Sequence, residues 1–330
     1  MKLGVDNFSL RFNDWDAYQL LDYCHQVGLE VLHLSDLAPF KSLDQSYLSE
    51  VKQHAEKLNI DIEVGMGSIC PTSTTFNGSR GSATEQLTQM LHIAAFFGSP
   101  GVRCFLGANA DRRTAAPLQT HIDATIATCQ AVRPLALELG VKIAIENHAG
   151  DLQGRELKEL IERAGPDYVG ACIDSGNPLW VSESPFTTLD HLAPFVVMSH
   201  IRDTAVWAHP KGAAAQWVAM GEGTVNIETW SRQYIAQCPN TNFTMEIIGT
   251  LAPRVLNYLE PEYWSIYPTM PAQEFARFLQ HVAPYQSYTT PTHTADWGSL
   301  TPEIRAALAI EQCRQLERSV RYCREVLKIP

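Results

Sequence analysis

The 330-residue sequence has no basic stripe: its 25 lysines and arginines are scattered among 36 aspartates and glutamates, for a formal net charge of -11. A chain that grips nucleic acid clusters its positive charge to neutralise phosphates, so the charge counts against that class, and an acidic chain is equally ill suited to an anionic membrane surface. No run of 18 apolar residues occurs, which leaves no candidate membrane-spanning helix, and the opening MKLGVDNFSL lacks an apolar signal segment. The eight cysteines (Cys24, Cys70, Cys104, Cys129, Cys172, Cys238, Cys313 and Cys323) include no C-x-x-C pair and sit mostly in apolar stretches. They read as small hydrophobes rather than a disulfide framework, and the expectation is a reduced, cytoplasmic protein. A G-x-G-x-x-G is also missing after the first strand, which argues against a dinucleotide-binding, doubly wound sheet.

What is present is an alternation. Short β-rich segments at residues 3–8, 29–34, 60–64, 102–106, 141–147, 169–173, 196–201 and 243–248 are separated by longer amphipathic stretches. That order implies βαβ units and a parallel sheet, and eight such strands leave no free edge if the sheet closes. The expected fold is a single (β/α)8 TIM-barrel domain, with the barrel over about residues 1–249 and a C-terminal helical extension over about 250–330. Asp14 is placed as the N-cap of a helix over 15–27 that Gly28 ends, and a single helix is expected over 118–139. Residues 65–82 and 203–225 read as long loops at strand ends, where substrate loops belong. The tail at 251–294 is rich in Pro and Tyr and reads as partly helical. A last helix over 301–327 opens with Pro302 in its first turn.

Four chemically capable side chains stand at the C-terminal ends of the last four barrel strands: Glu146 in IAIENH, Asp174 in ACIDSGN, His200 in VMSHIRD and Glu246 in FTMEII. Residues two apart on a strand share a face, so Ala144, Cys172, Met198 and Thr244 point the same way as the residue two places on. Each candidate can therefore enter the barrel while branched neighbours face the helices. Active sites of this fold lie at that end. Three carboxylates converging without a cation would repel one another, so a bound metal or shared protons are needed. An oxygen-rich set with one imidazole suits Mn2+ first, with Mg2+, Co2+ or Zn2+ also accepted.

These segments resemble the xylose isomerase-like TIM barrels, specifically the sugar phosphate isomerase/epimerase group that includes ketose 3-epimerases, hydroxypyruvate isomerase and inosose dehydratase. The likeness spans about residues 1–249 and is strongest in IENH, CIDSGNP, SHIRD, TMEI and the MGEGTVNIETW segment at 220–230. It implies that Glu146, Asp174, His200 and Glu246 bind one divalent metal and that Arg202, two residues after the histidine, contacts substrate. It also implies a His three residues after the aspartate in the ketose 3-epimerases; Asn177 stands there instead.

Physically, a proton beside a carbonyl is too weakly acidic to leave unaided, and a metal with two carboxylates answers that need. Glu146 and Glu246 are the expected metal-bound acid/base pair on a sugar or keto-polyol. Returning the proton to the opposite face is epimerisation, to the neighbouring carbon isomerisation, and loss of a β-hydroxyl dehydration. His148 shares parity with Glu146, and Glu222 lies in a Gly-Glu-Gly turn; with Arg202 they are the substrate-binding candidates. Trp217 and Phe76 sit in loops that could cover a sugar ring, and His33 reads as a wall residue. A dehydratase or lyase on an inosose- or dehydroshikimate-type substrate, a DNA-repair endonuclease and a non-catalytic sugar-binding barrel remain open. The expected partner is a small sugar or polyol, with no nucleic acid and no membrane, and the long tail suggests a homo-oligomer.

Overall fold

The computed structural model describes residues 1–284 and 300–330. Eight parallel strands run in the order β10-β1-β2-β3-β4-β5-β6-β7. They are β1 (Leu3–Asp6), β2 (Val31–Leu34), β3 (Asp61–Ser68), β4 (Gly101–Phe105), β5 (Lys142–Glu146), β6 (Val169–Asp174), β7 (Val196–His200) and β10 (Phe243–Met245). The last seam closes through a parallel bridge between Ile201 and Met245: Ile201 N donates to Thr244 O at 2.8 Å and Glu246 N to Ile201 O at 3.0 Å. A TIM barrel is thus observed, and a C-terminal helix is present.

The parity argument holds inside the barrel. Ala144, Cys172 and Met198 form a small buried cluster of their own, one layer below the strand-end residues. Register then fixes what stands beside what. Asp174 pairs with His200 across β6 and β7, Glu146 with Cys172 across β5 and β6, and Asp6 with His33 across β1 and β2. Where β3 meets β4 there is no room for a side chain on Gly65, since a Cβ there would stand 2.9 Å from Arg103 O and 3.0 Å from His33 Nε2.

Helices cover the outside. α6 (Gly154–Ala164) shows how: Leu157, Leu160, Ile161 and Ala164 recur at helical spacing, all are buried, and Gly165 at φ 128° stops the helix. Each fully buried leucine-sized side chain contributes roughly 1.5–3 kcal/mol of apolar transfer. No helix of the described residues is long and apolar enough to cross a membrane.

Four expectations change. The N-cap of α1 (Ala17–Gln26) is Asp16, not Asp14: Asp16 Oδ1 accepts from Gln19 N at 3.0 Å and Gln19 Oε1 accepts from Asp16 N at 3.1 Å. Only the residue three before Gln19 can make that reciprocal pair; Asp14 takes a left-handed turn and pairs with Arg305. The stretch 118–139 is two helices, α4 (Leu118–Ala131) and α5 (Arg133–Leu139), broken before Pro134, whose ring nitrogen has no hydrogen to give. Third, residues 203–225 are not a plain loop. β8 (Asp203–His209) and β9 (Gly212–Val218) make an antiparallel hairpin joined by β11 (Arg254–Leu256). The tight His-Pro-Lys-Gly turn and an alanine run hid it: alanine has little strand preference, and small side chains fit because β11 lies close. Finally, the final helix α11 (Pro302–Tyr322) passes into one π-turn over Cys323–Leu327.

The extension rests on the barrel. Leu316, Val320 and Cys323 join the main core, and Gln312 Oε1 accepts from Phe12 N at 3.0 Å. In the Pro- and Tyr-rich stretch, α9 (Pro261–Trp264) and α10 (Ala272–Leu279) are helical, as expected in part; residues 285–294 of that expectation lie outside the described residues.

Candidate metal centre

Glu146, Asp174, His200 and Glu246 converge at the C-terminal mouth of the barrel, each offering one ligand atom within 4.8 Å of the others, and all four are buried. Ligands about 2.0–2.3 Å from one cation stand about 4.0–4.6 Å apart when opposite, so this set can close on a single ion with sub-ångström adjustment. Three carboxylates and one imidazole fit a hard-to-intermediate divalent metal.

The surroundings choose which atoms are free to ligate. Asp174 Oδ1 accepts the backbone N–H of Gly176 at 2.6 Å and of Asn177 at 2.7 Å, which leaves Oδ2 facing the cluster. Asn147 braces the same residue, donating to Asp174 O and accepting from Asp174 N, both at 2.9 Å. His200 Nε2 lies 2.8 Å from His33 Nδ1, so Nδ1 is the nitrogen that faces Glu146 Oε2 at 3.3 Å and Glu246 Oε2 at 3.7 Å. For Nδ1 to serve as a ligand, the ring hydrogen sits on Nε2 and is donated to His33. Behind the two imidazoles is Asp6, whose Oδ2 is 3.9 Å from His33 Nδ1 and 3.7 Å from His200 Nε2.

Two arginines supply the counter-charge. Arg202 donates through Nε to Asp174 Oδ2 at 3.0 Å and through Nη2 to both Asp174 and Glu246. Arg103 donates through Nε to Glu146, whose other oxygen accepts from Asn177 Nδ2 at 3.0 Å. Burial pushes the Glu146 carboxyl up, but Arg103 and His200 outweigh it and hold it well below the usual carboxylate range. Burial raises Asp174 to about 6 in spite of Arg202, and Asp6 to about 7 in spite of His200. For His200, burial is overcome by Glu146, Glu246 and Asp6, and the imidazole rises to about 9.

That last shift has a measurable sign. Against an unperturbed 6.5, the raised His200 stabilises the metal-free fold below pH 6.5, and this contribution disappears as pH climbs through about 9. A cation at Nδ1 competes with the same proton. Binding of Mn2+ at pH 7.5 should therefore release about one proton, and affinity should rise with pH until about 9. Calorimetric titrations in two buffers of different ionisation enthalpy count that proton; a count of zero would remove His200 from the ligand set.

Above the cluster is a cavity of about 390 Å³ lined by Phe105, His148, Asn177, Trp180, Arg202 and Trp217, among others. His148 stacks on Phe105 with ring centroids 3.7 Å apart, and its Nδ1 lies 2.8 Å from Gly107 O. A carbonyl only accepts, so Nδ1 carries the hydrogen and Nε2 is an acceptor. Burial lowers this imidazole to about 4, which keeps it neutral. Buried Asp151 holds the loop in place by accepting from Gly107 N at 3.0 Å and His148 N at 2.9 Å. Trp180 and Trp217 stack at 4.1 Å, and the Arg202 guanidinium lies 4.2 Å over Trp217. No side chain fits at Gly176, where a Cβ would stand 2.5 Å from Arg202 Cγ and 2.9 Å from Trp217 Cδ1.

Of the expected substrate contacts, Arg202 and His148 line the cavity and Glu222 does not. Glu222 is turned outward to Arg318 on α11 at 2.8 Å; the glycines flanking it are tied instead to Asp203, which accepts from Gly221 N and Gly223 N. Trp217 reaches the cavity and Phe76 does not. His33 is fully buried and acts on His200 rather than as a wall. Sequence reasoning overlooked Arg103 and Asp6. A charged residue inside the apolar strand Gly101–Phe105, and an aspartate ending the first strand, were the available signals.

Comparison with known proteins agrees with this architecture. A 3-oxo-isoapionate decarboxylase of Pectobacterium atrosepticum is 24% identical over 186 residues, which is 56% of this chain and 60% of that protein, so the match spans less than two thirds of the relative. D-psicose 3-epimerase of Clostridium cellulolyticum H10, solved with D-tagatose, superposes with a TM-score of 0.58 at 15% identity, covering 85% of this chain and 96% of that one. The IOLI protein, solved with a bound zinc atom, gives 0.57 at 15% identity over the same shares. The 3-keto-D-glucoside 4-epimerase of E. coli gives 0.58 at 12%, covering 74% and 91%. At these identities the structural likeness is one of fold. Residues 19–247 match the family model itself, and with the closed barrel and its strand-end cluster this chain belongs to the xylose isomerase-like TIM barrel family.

Proposed function

We propose that this chain is a divalent-metal-dependent isomerase or epimerase of a small sugar or keto-polyol, working through an enediolate in the cytoplasm, with Mn2+ as the first-choice ion. One observation carries the reading: Glu146 and Glu246 reach a single four-ligand cluster from β5 and β10, strands far apart in barrel order. Their carboxylates therefore approach a substrate carbon from different sides. When bound, a divalent cation supplies Lewis-acid stabilisation of negative charge on the substrate's oxygens.

The chain's own residues do the rest. One glutamate takes the proton beside the carbonyl and the other returns it. His148 Nε2 accepts from a substrate hydroxyl, while Asn177 holds Glu146 in orientation. The stacked indoles wall one side of the cavity and help exclude water.

A lyase is the second reading. It is favoured by Asn177 standing where the ketose 3-epimerases carry His, and by the similarity to a decarboxylase. The test is incubation of the Mn2+-loaded protein with a panel of ketoses and keto-acids in D2O, followed by NMR. Deuterium entering beside the carbonyl with the carbon skeleton intact supports the first reading. Release of water or CO2 supports the second. Absence of exchange and of product across the panel defeats both. The homo-oligomer expected from the tail remains part of the proposal.

A further inference from the structure

Resting on that functional reading, we propose that the substrate carries a carboxylate and that Arg103 and Arg202 receive it together. Both guanidiniums are buried, at 5% and 1% exposure, and both line the cavity over the metal ligands. Neither has spent all its donors. Arg202 uses Nε and Nη2 on Asp174 and Glu246, and its Nη1 is buried with no hydrogen-bond partner. A buried unpaired guanidinium nitrogen is expensive unless a ligand completes it. It also cannot turn away, because its plane lies on Trp217, which is itself backed by Trp180. Arg103 uses Nε on Glu146 and Nη1 on Met66 O at 3.3 Å, with its plane over Phe105, so Nη2 is left for the cavity.

Charge points the same way. The three carboxylates are matched by two guanidiniums before any cation arrives, so a divalent ion with neutral His200 leaves one positive charge over. The other acidic residue on the wall, Asp36, is turned to the backbone N–H of Ala38 at 2.7 Å, and Asp6 lies behind the imidazoles. A neutral sugar needs no such surplus: Asn177 and His148 already offer neutral partners for hydroxyls. A monoanion balances the site, whereas a phosphate dianion overshoots it, and the two arginines offer planar forks rather than a glycine-rich cradle of N–H groups. Planar arginine forks match the two oxygens of a carboxylate.

The experiment is calorimetric titration of the Mn2+-loaded protein with three four-carbon probes: erythritol, erythronate and erythritol 4-phosphate. Erythronate should bind at least tenfold more tightly than either of the others. Arg103→Met should erase that advantage, read as the ratio of erythronate to erythritol affinity within each loaded protein, and Arg103→Lys, which keeps a charge beside Glu146, should lose part of it. Elemental analysis confirms that each variant holds metal; should Arg103→Met not load, Arg103→Lys carries the comparison. Equal binding of erythronate and erythritol, tightest binding of the phosphate ester, or an erythronate advantage untouched in the loaded variants overturns the inference. The last result would put the carboxylate on the cation alone. Solvent exchange separates the two proposals. Neutral ketoses exchanging hydrogen without any erythronate preference sinks only the carboxylate. Erythronate preference without exchange on any substrate sinks only the enediolate.

Discussion

Glu246→Gln should lower turnover, or solvent exchange at the substrate carbon, by about 10²–10⁴-fold, the range for losing a positioned acid or base. The amide keeps the carboxylate's shape, so the fold and the Arg202 contact survive in outline while one charge leaves the cluster. Bound metal should fall in parallel, because Glu246 is one of the four donors that converge at the strand ends. Elemental analysis beside the exchange assay checks both. Unchanged metal with lost exchange would keep Glu246 as an acid/base but strike it from the ligands; unchanged metal and unchanged exchange would refute both roles.

Arg202→Met should destabilise the metal-free protein by about 3–5 kcal/mol, the cost of leaving one side of a buried ion pair uncompensated. Two carboxylates, Asp174 and Glu246, lose their counter-charge at once, and both are buried. Mn2+ should restore most of the loss, since a ligand at a thousand times its dissociation constant contributes about 4 kcal/mol to the folded state. Urea unfolding with chelator and with excess Mn2+ separates the terms. Wild-type stability of the variant in chelator would show that Arg202 is no counter-charge.

The convergence of these four side chains was legible because it depends on two local rules: which residue ends each strand, and which neighbours share its face. Glu146, Asp174 and His200 end β5, β6 and β7, and their partners two residues earlier do pack together as one layer. Arg103 was not legible in the same way. It does not end its strand; it stands beside Ala144, and only β4–β5 register and its length bring the guanidinium up to Glu146. The hairpin of β8 and β9 was missed for a different reason. Its residues Gly212–Ala215 are small, the strand Gly212–Val218 carries no charge to mark one face, and pairing across a sheet is a property of two segments rather than one. Glu222 shows the opposite error: an acidic residue between glycines suggested a closing turn, but the turn is fastened from beneath by buried Asp203 and from outside by α11.

The stacked planes of Trp180, Trp217 and Arg202 have an optical consequence. A cation resting on an indole face perturbs that ring's excited state, and pairing the fixed guanidinium with a bound anion should change the perturbation. Tryptophan emission therefore reports occupancy without any dye, and Trp217→Phe should silence the signal while the other indoles of the chain still glow.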